Sequence, residues 1–209
     1  MQYEAVRPEE IEKRSLAIIS RELSEAGIVP DARYASVILR CIHASADFDY
    51  ASQLQFSENA VEVMEQLIRG GADIVTDTRM AMAGINAKRL SSYGGRVHCF
   101  MADEDVAREA RARGVTRAAV SMERAAALDK RIIFAIGNAP TALLRLHELM
   151  EEGQLSPAFV IGVPVGFVNV VWAKELFLDG PVPYIISRGR KGGSSIAAAI
   201  CNAVLYGMS

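Results

Sequence analysis

The spacing of apolar residues predicts helices at the start of the chain. Ile11 and Ile18 recur at helical intervals after Pro8, and a proline beside acidic residues is typical of a first helical turn. Asp31 is a suitable N-cap for a second helix. The pattern therefore predicts three N-terminal helices, over residues 8–26, from Asp31 to near His43, and over residues 57–69.

Further along, short apolar runs alternate with helical patterns. The runs are rich in β-branched residues and apolar on both faces, which is typical of parallel strands covered by helices on both sides. The predicted strands are 72–77, 97–100, 131–136, 158–163 and 184–187. The predicted helices between and after them are 104–113, 116–128, 140–152, 168–178 and 194–206.

This alternation predicts an α/β fold with a doubly wound, mainly parallel sheet of about five strands. Helices cover both faces in a flavodoxin-like three-layer arrangement, and the N-terminal helices are an addition to it. No repeat or linker divides the sequence, so residues 1–209 are predicted to form a single domain.

Composition narrows the classes of function. A net charge of -2 and a pI near 6.0 argue against nucleic acid as a partner, because phosphate binding requires a basic surface. No apolar run reaches the roughly 18 to 20 residues of a membrane span, and the N-terminus lacks a signal peptide pattern. Cys41, Cys99 and Cys201 are widely spaced, which predicts neither a disulfide framework nor a metal site. We therefore expect a cytoplasmic protein that contacts no membrane.

Unusual residues cluster where the predicted strands end. Thr76 and Asp77 follow the first strand, Asn138 and Thr141 follow the third, and a segment rich in glycine and proline follows the fourth. Ligands of doubly wound sheets bind outside the carboxyl ends of the strands. Ordinary strand-to-helix turn chemistry explains each segment equally well on its own, but their repetition at one edge favours a binding site.

The segment after the fifth strand carries Arg188, Arg190 and Lys191 among glycines, directly before a predicted helix. Free N–H groups and the positive end of a helix dipole bind carboxylate or phosphate groups. A solvated turn is the alternative interpretation. Neither a GxxxxGK nor a GxGxxG motif is present, which disfavours a nucleotide ligand.

Arg40 and His43 lie one helical step apart, so both side chains can face one ligand. A histidine can act as an acid near neutral pH, and the negative end of a helix favours its charged form. A helix cap or a core position is the alternative role. His98, inside an apolar strand, and His147, in mid-helix, are interpreted as structural.

Several segments in order resemble the precorrin-8X methylmutase family, including its cobalt-precorrin-8 counterpart. The segments are Glu12–Ile19, Arg40–Ala44, Ile136–Leu143, Ile161–Val168 and Arg188–Ser194. The resemblance implies an isomerase of cobalamin biosynthesis that moves a methyl group from C-11 to C-12 of a corrin precursor, giving hydrogenobyrinate or its cobalt form. It implies no external methyl donor, no cofactor and no protein-bound metal. It also implies a homodimer whose pockets lie near the subunit interface.

The family pattern selects His43 as the catalytic general acid. The substrate is an apolar ring carrying acetate and propionate carboxylates, which arginines can pair with bidentately. The substrate-binding residues implied by the resemblance or expected at the strand ends are Ser15, Arg40, Arg14, Thr76, Asp77, Arg117, Asn138, Thr141, Gly162, Gly166, Arg188 and Arg190. Two other hypotheses stay open here: a carrier that binds tetrapyrroles without rearranging them, and a flavodoxin-like nucleotide or flavin binder.

Overall fold

A computed structural model describes residues 7–208, which form one six-stranded sheet between two layers of helices. The strands are β1 (Leu54–Phe56), β2 (Asp73–Thr76), β3 (Val97–His98), β4 (Ile132–Ile136), β5 (Phe159–Gly162) and β6 (Tyr184–Ser187). The helices are α1 (Pro8–Glu25), α2 (Ala35–Ser45), α3 (Tyr50–Gln53), α4 (Ala60–Arg69), α5 (Arg79–Gly84), α6 (Ala87–Ser91), α7 (Glu104–Arg113), α8 (Arg117–Ala126), α9 (Pro140–Glu151), α10 (Val170–Glu175) and α11 (Ser194–Gly207).

The strands are arranged in the order β1-β6-β5-β4-β2-β3, and every neighbouring pair except β1–β6 is parallel. The five predicted strands are all present, and their order is that of a flavodoxin-like sheet. The prediction of a doubly wound α/β fold is confirmed. The antiparallel strand β1 was not predicted, because it has only three residues and a polar Gln55 at its centre.

Side chains alternate along each strand between two cores. Ile74, Ile133 and Ile161 pack with helices α1, α2, α4 and α11 on one face of the sheet. Their neighbours Val75, Phe134 and Val160 pack with α8, α9 and α10 on the other face. Burial on both sides explains why these strands are continuous apolar runs.

The helix predictions differ from the structure mainly at helix ends. Helix α2 begins at Ala35, because the Asp31 carboxylate accepts the Arg33 N–H in a turn instead of capping the helix. The short helices α3, α5 and α6 were not predicted, since four to six residues carry too little periodicity. Helix α11 is alanine-rich and packs between the sheet and α2.

The strand register brings the strand ends to one edge of the sheet. Thr76 of β2 pairs with Ala135 of β4, and Ile136 pairs with Gly162 of β5. We call the segments that follow β2, β4, β5 and β6 the carboxyl-edge loops, comprising residues 77–78, 137–139, 163–169 and 188–193. The chain reverses its winding direction between β2 and β4, where flavodoxin-like proteins place their ligands.

Candidate active site

His43 lies in the last turn of α2 and faces a groove between α1 and α2. The groove has a volume of about 280 Å³ and is lined by Ser15, Ile18, Ile19, Glu22, Ile42, His43, Ala46 and Phe48. The Ser15 hydroxyl donates to the Ile11 carbonyl at 2.9 Å. Within residues 7–208 the exposed His43 ring forms no hydrogen bond or ion pair. Its nitrogens are therefore available to a ligand.

Arg40 lies one turn before His43 and is held by two contacts. Its guanidinium nitrogen Nη2 lies 2.5 Å from Glu12 Oε1 of α1, and its guanidinium carbon lies 4.8 Å from the centre of the Tyr206 ring. The Arg40 side chain is 21% exposed. One edge of the guanidinium can therefore meet a ligand while the other stays paired with Glu12.

Two ion pairs link the end of α2 to the carboxyl edge. Lys191 Nζ lies 2.7 Å from Asp47 Oδ2 and 2.5 Å from Asp49 Oδ2. The Lys191 ammonium lowers the pKa of Asp47 below its usual value. The Arg188 N–H also donates to the Gln53 carbonyl of α3 at 2.9 Å. The groove and the cationic segment after β6 are therefore neighbouring parts of one surface.

Asp77 joins the loops after β2 and β4. Its carboxylate is fully buried and accepts the backbone N–H groups of Gly137, Asn138 and Ala139 at 2.6 to 2.9 Å. Burial raises the pKa of Asp77, and the three donors oppose that shift. The Asp77 side chain therefore occupies the point where the sheet reverses its winding direction.

The N-terminus of α11 closes the same region. A Cβ atom on Gly137 would lie 2.7 Å from the Ser194 Cα, so only glycine allows this approach. The hydroxyls of Thr78 and Ser194 are hydrogen-bonded at 2.7 Å. These contacts hold the loops after β2 and β4 against the start of α11.

Lys174 organises the loop after β6. The residue is 1% exposed, and its ammonium donates to the carbonyls of Gly189 and Lys191 at 2.9 and 2.8 Å. Burial lowers the pKa of Lys174 to about 8. Ser187 Oγ also donates to the Lys191 carbonyl at 3.0 Å. Sequence reasoning missed Lys174, although a lysine directly after Val170, Val171, Trp172 and Ala173 is an unusual signal.

Several predicted binding residues lie on the surface of the carboxyl edge. Arg188, Arg190 and Asn138 are exposed, and the Arg190 guanidinium carbon lies 5.3 Å from the centre of the Phe167 ring. Gly166 lies in the same loop as Phe167 and donates its N–H to the Arg190 carbonyl at 3.2 Å. These groups form one cationic and apolar surface beside the end of α2.

Three other predicted residues lie apart from this surface. Arg14 is exposed on α1, and Arg117 is exposed at the first position of α8. Thr141 accepts a hydrogen bond from Thr116 at 3.0 Å and lines a larger cavity of about 570 Å³ between α8 and α9. Charged side chains around that cavity, including Arg113 and Glu123, are paired with one another.

Three residues expected to contact a ligand make buried contacts within the folded framework. Thr76 is fully buried and donates to the carbonyls of Thr78 and His98. Asp77 is occupied by backbone N–H groups, as described above. A Cβ atom on Gly162 would lie 2.4 Å from Ile186 Cδ1, so this glycine accommodates the packing of the neighbouring strand β6.

Two features are absent from residues 7–208. No group of three or more His, Cys, Asp and Glu side chains in that range is arranged to hold a metal ion. None of the helices there has both the length and the apolar character needed to cross a membrane.

The chain is similar to known proteins over nearly all of its length. The family model for precorrin-8X methylmutase matches residues 10–207. A cobalt-precorrin-8 methylmutase of Salmonella typhimurium is 42% identical, with 96% of this chain and 95% of that protein covered. A precorrin-8X methylmutase of Pseudomonas aeruginosa is 39% identical, with 93% of each covered. The crystal structure of a precorrin-8X methylmutase from Thermus thermophilus superposes with a TM-score of 0.82 at 39% identity, covering 94% of this chain and 96% of that one.

Proposed function

The chain belongs to the precorrin-8X methylmutase family and is an isomerase of cobalamin biosynthesis, and we propose that His43 is the general acid of its methyl transfer. The relatives are named as mutases, so a non-catalytic carrier role has no support. A nucleotide or flavin binder is disfavoured by the absence of a phosphate-binding motif in the sequence and by the closed region around Asp77.

The observation that carries the proposal is the free and exposed imidazole of His43. A general acid must reach the atom that it protonates, and a ring already engaged by the protein would have to break those contacts first. The groove beside His43 combines apolar walls from Ile18 and Phe48 with the Ser15 hydroxyl. That combination suits part of a large apolar ring with polar substituents.

The reaction is an intramolecular rearrangement of the ring. Protonation of the conjugated macrocycle by His43 withdraws electron density, which lowers the barrier to a 1,5-sigmatropic shift. The bond between the methyl carbon and C-11 breaks as the bond to C-12 forms, so no methyl donor is consumed. The ring returns a proton to the His43 imidazole once the shift is complete, which restores the acid for the next turnover.

The carboxylates of the substrate require cationic partners. Arg188 and Arg190 support this role because they are exposed beside the end of α2, and Arg40 supports it because it lies on the same helix as His43. Ser15 and Gly166 are further proposed contacts, at the groove and at the carboxyl edge. Arg14, Arg117, Asn138 and Thr141 stay proposed contacts at the periphery.

We further propose that the enzyme acts in the cytoplasm as a homodimer. Ligand pockets usually measure about 300 to 1,000 Å³, so the groove of about 280 Å³ is small for a whole corrin ring. Phe167, which contacts Arg190, and Trp172 of α10 expose 80% and 58% of their surface. A second copy covering these side chains would enlarge and enclose the pocket. Sedimentation equilibrium tests this, and a monomer at micromolar concentration would contradict it.

Conversion of precorrin-8X to hydrogenobyrinate, followed by visible absorbance, tests the role of His43. We expect His43→Gln to bind the ring but to lower kcat by about 10²- to 10⁴-fold, since this is what a general acid contributes. Ser36→Ala, at an exposed position of the same helix, is the matched control and should keep full activity. A His43→Gln enzyme with kcat near that of the wild type would contradict the assignment.

Parallel assays with cobalt-precorrin-8 establish which form of the substrate, metal-free or cobalt-bound, the enzyme prefers.

A further inference from the structure

Lys174 is a buried cation whose partners are uncharged. Its ammonium contacts the carbonyl oxygens of Gly189 and Lys191, and no carboxylate within residues 7–208 forms an ion pair with it. Burying a charge without an opposite charge is costly. Helix α10 already contributes the apolar Ala173 to the core on this face of the sheet. The presence of lysine therefore needs an explanation beyond packing.

The loop above Lys174 is held through its backbone. The carbonyls of Gly189, Arg190 and Lys191 accept hydrogen bonds from Lys174, Gly166 and Ser187. Three consecutive carbonyls are thus engaged by the protein, whereas the side chains of Arg188 and Arg190 are exposed.

Gly192 of the same loop lies directly against the residue that follows β5. A Cβ atom on Gly192 would lie 2.0 Å from the Val163 carbonyl oxygen, and the Gly193 N–H donates to that oxygen at 2.8 Å. The loop is therefore fixed at both ends, and Lys174 fixes its middle. The Lys174 ammonium supplies two of the hydrogen bonds that hold this loop conformation.

We infer that Lys174 is a positioning residue for substrate binding, which presents Arg188 and Arg190 to the substrate carboxylates and places an unneutralised positive charge beneath them. This inference rests on the function proposed above. Burial strengthens the effect, because a charge in a medium of low dielectric acts on a bound anion with little screening. Lys174 is distinct from His43 in its role, since it touches the loop and not the reacting ring.

The inference predicts a loss of binding without a loss of chemistry. In Lys174→Met, the dissociation constant of hydrogenobyrinate, measured by absorbance titration, should rise by about tenfold or more, as for lost charge-assisted contacts. KM should rise in parallel, and kcat at saturating precorrin-8X should stay within about threefold of the wild type. Lys174→Gln keeps an amide donor but removes the charge, and it should bind with intermediate affinity and a nearly unchanged dependence on salt, because a buried charge is little screened.

Controls separate the inference from folding and from the proposed function. Lys88→Met, on the exposed surface of α6, should leave binding unchanged. If Lys174→Met does not fold, Ser187→Ala removes only one donor to the same loop and should weaken binding by about two- to threefold. Unchanged affinity in the folded variants, or a lost kcat at unchanged KM, would overturn the inference. A wild-type protein that binds no corrin would instead overturn the proposed function itself.

Discussion

Polar side chains differ in burial between two regions of the molecule, the carboxyl-edge loops and the groove between α1 and α2. At the loops, Asp77 and the Lys174 side chain of α10 are buried and hydrogen-bonded to backbone groups. In the groove, the His43 ring is exposed and without a partner in the described chain, and Arg40 is only partly enclosed. Buried polar groups fix a backbone, whereas exposed ones stay available to a ligand.

This contrast predicts different consequences of mutation. Removing a buried partner leaves the other group unsatisfied, so the cost appears in the free energy of unfolding. Removing an exposed side chain costs little stability, so its effect appears in binding or turnover. The difference provides a way to test whether a residue supports the fold or the chemistry.

The largest stability effect is expected for Asp77→Asn. The amide would place an NH2 group against backbone N–H donors from the loop after β4, and the charge that these donors stabilise would be lost. The free energy of unfolding should fall by about 3 kcal/mol, measured by urea denaturation. Asp129→Asn, at an exposed position, is the control. A loss below about 1 kcal/mol would show that the loops are held more loosely than the geometry indicates.

A smaller effect is expected for Arg40→Met in the groove. The lost ion pair with Glu12 and the lost stacking on Tyr206 should together cost about 1 kcal/mol. A double-mutant cycle with Glu12→Gln isolates the ion pair, and KM for precorrin-8X should rise several-fold because a carboxylate partner is lost. A destabilisation above about 3 kcal/mol would mean that the groove is held as firmly as the loops.

The smallest stability effect is expected for Lys191→Met, which cuts the link between the two regions. Exposed ion pairs contribute about 0 to 1 kcal/mol each, and the pairs with Asp47 and Asp49 are exposed. Turnover should nevertheless fall roughly threefold to tenfold, since the end of α2 would lose its alignment with the loop. Lys130→Met is the surface control. Equal kcat values in the two variants would show that the two regions work independently.

The sheet and most helices could be predicted because their signals are local. Strands such as Ile132–Ile136 are continuous apolar runs, and helices such as Glu104–Arg113 have acidic residues in the first turn and a glycine at the C-terminus. The strand β1 was missed because its position depends on pairing with β6, far away in the sequence. The start of α2 was misplaced because Asp31 had two local hydrogen-bonding options, and the turn was the one adopted.

The candidate site was predictable only where residue type alone was informative. The cationic segment with Arg188 and Arg190 was found from its composition, and the resemblance selected His43. Sequence could not show that Asp77 turns inward, because a carboxylate after a strand suits a ligand or a backbone turn equally well. Lys174 was missed because lysine is a surface residue in most helices, so its residue type gave no sign that it is buried.

The pairing of Lys191 with Asp49 joins positions 142 residues apart, and α2 buries Val37 and Cys41 in the core that α11 completes. Contacts between such distant segments form late in folding, because the intervening chain must first be closed. The ribosome must therefore have synthesised α11 before α2, the helix that bears His43, can pack into the core. During synthesis, the proposed acid would reach its working position only after the sheet beneath it is complete, so partly made chains would be inactive towards the precursor.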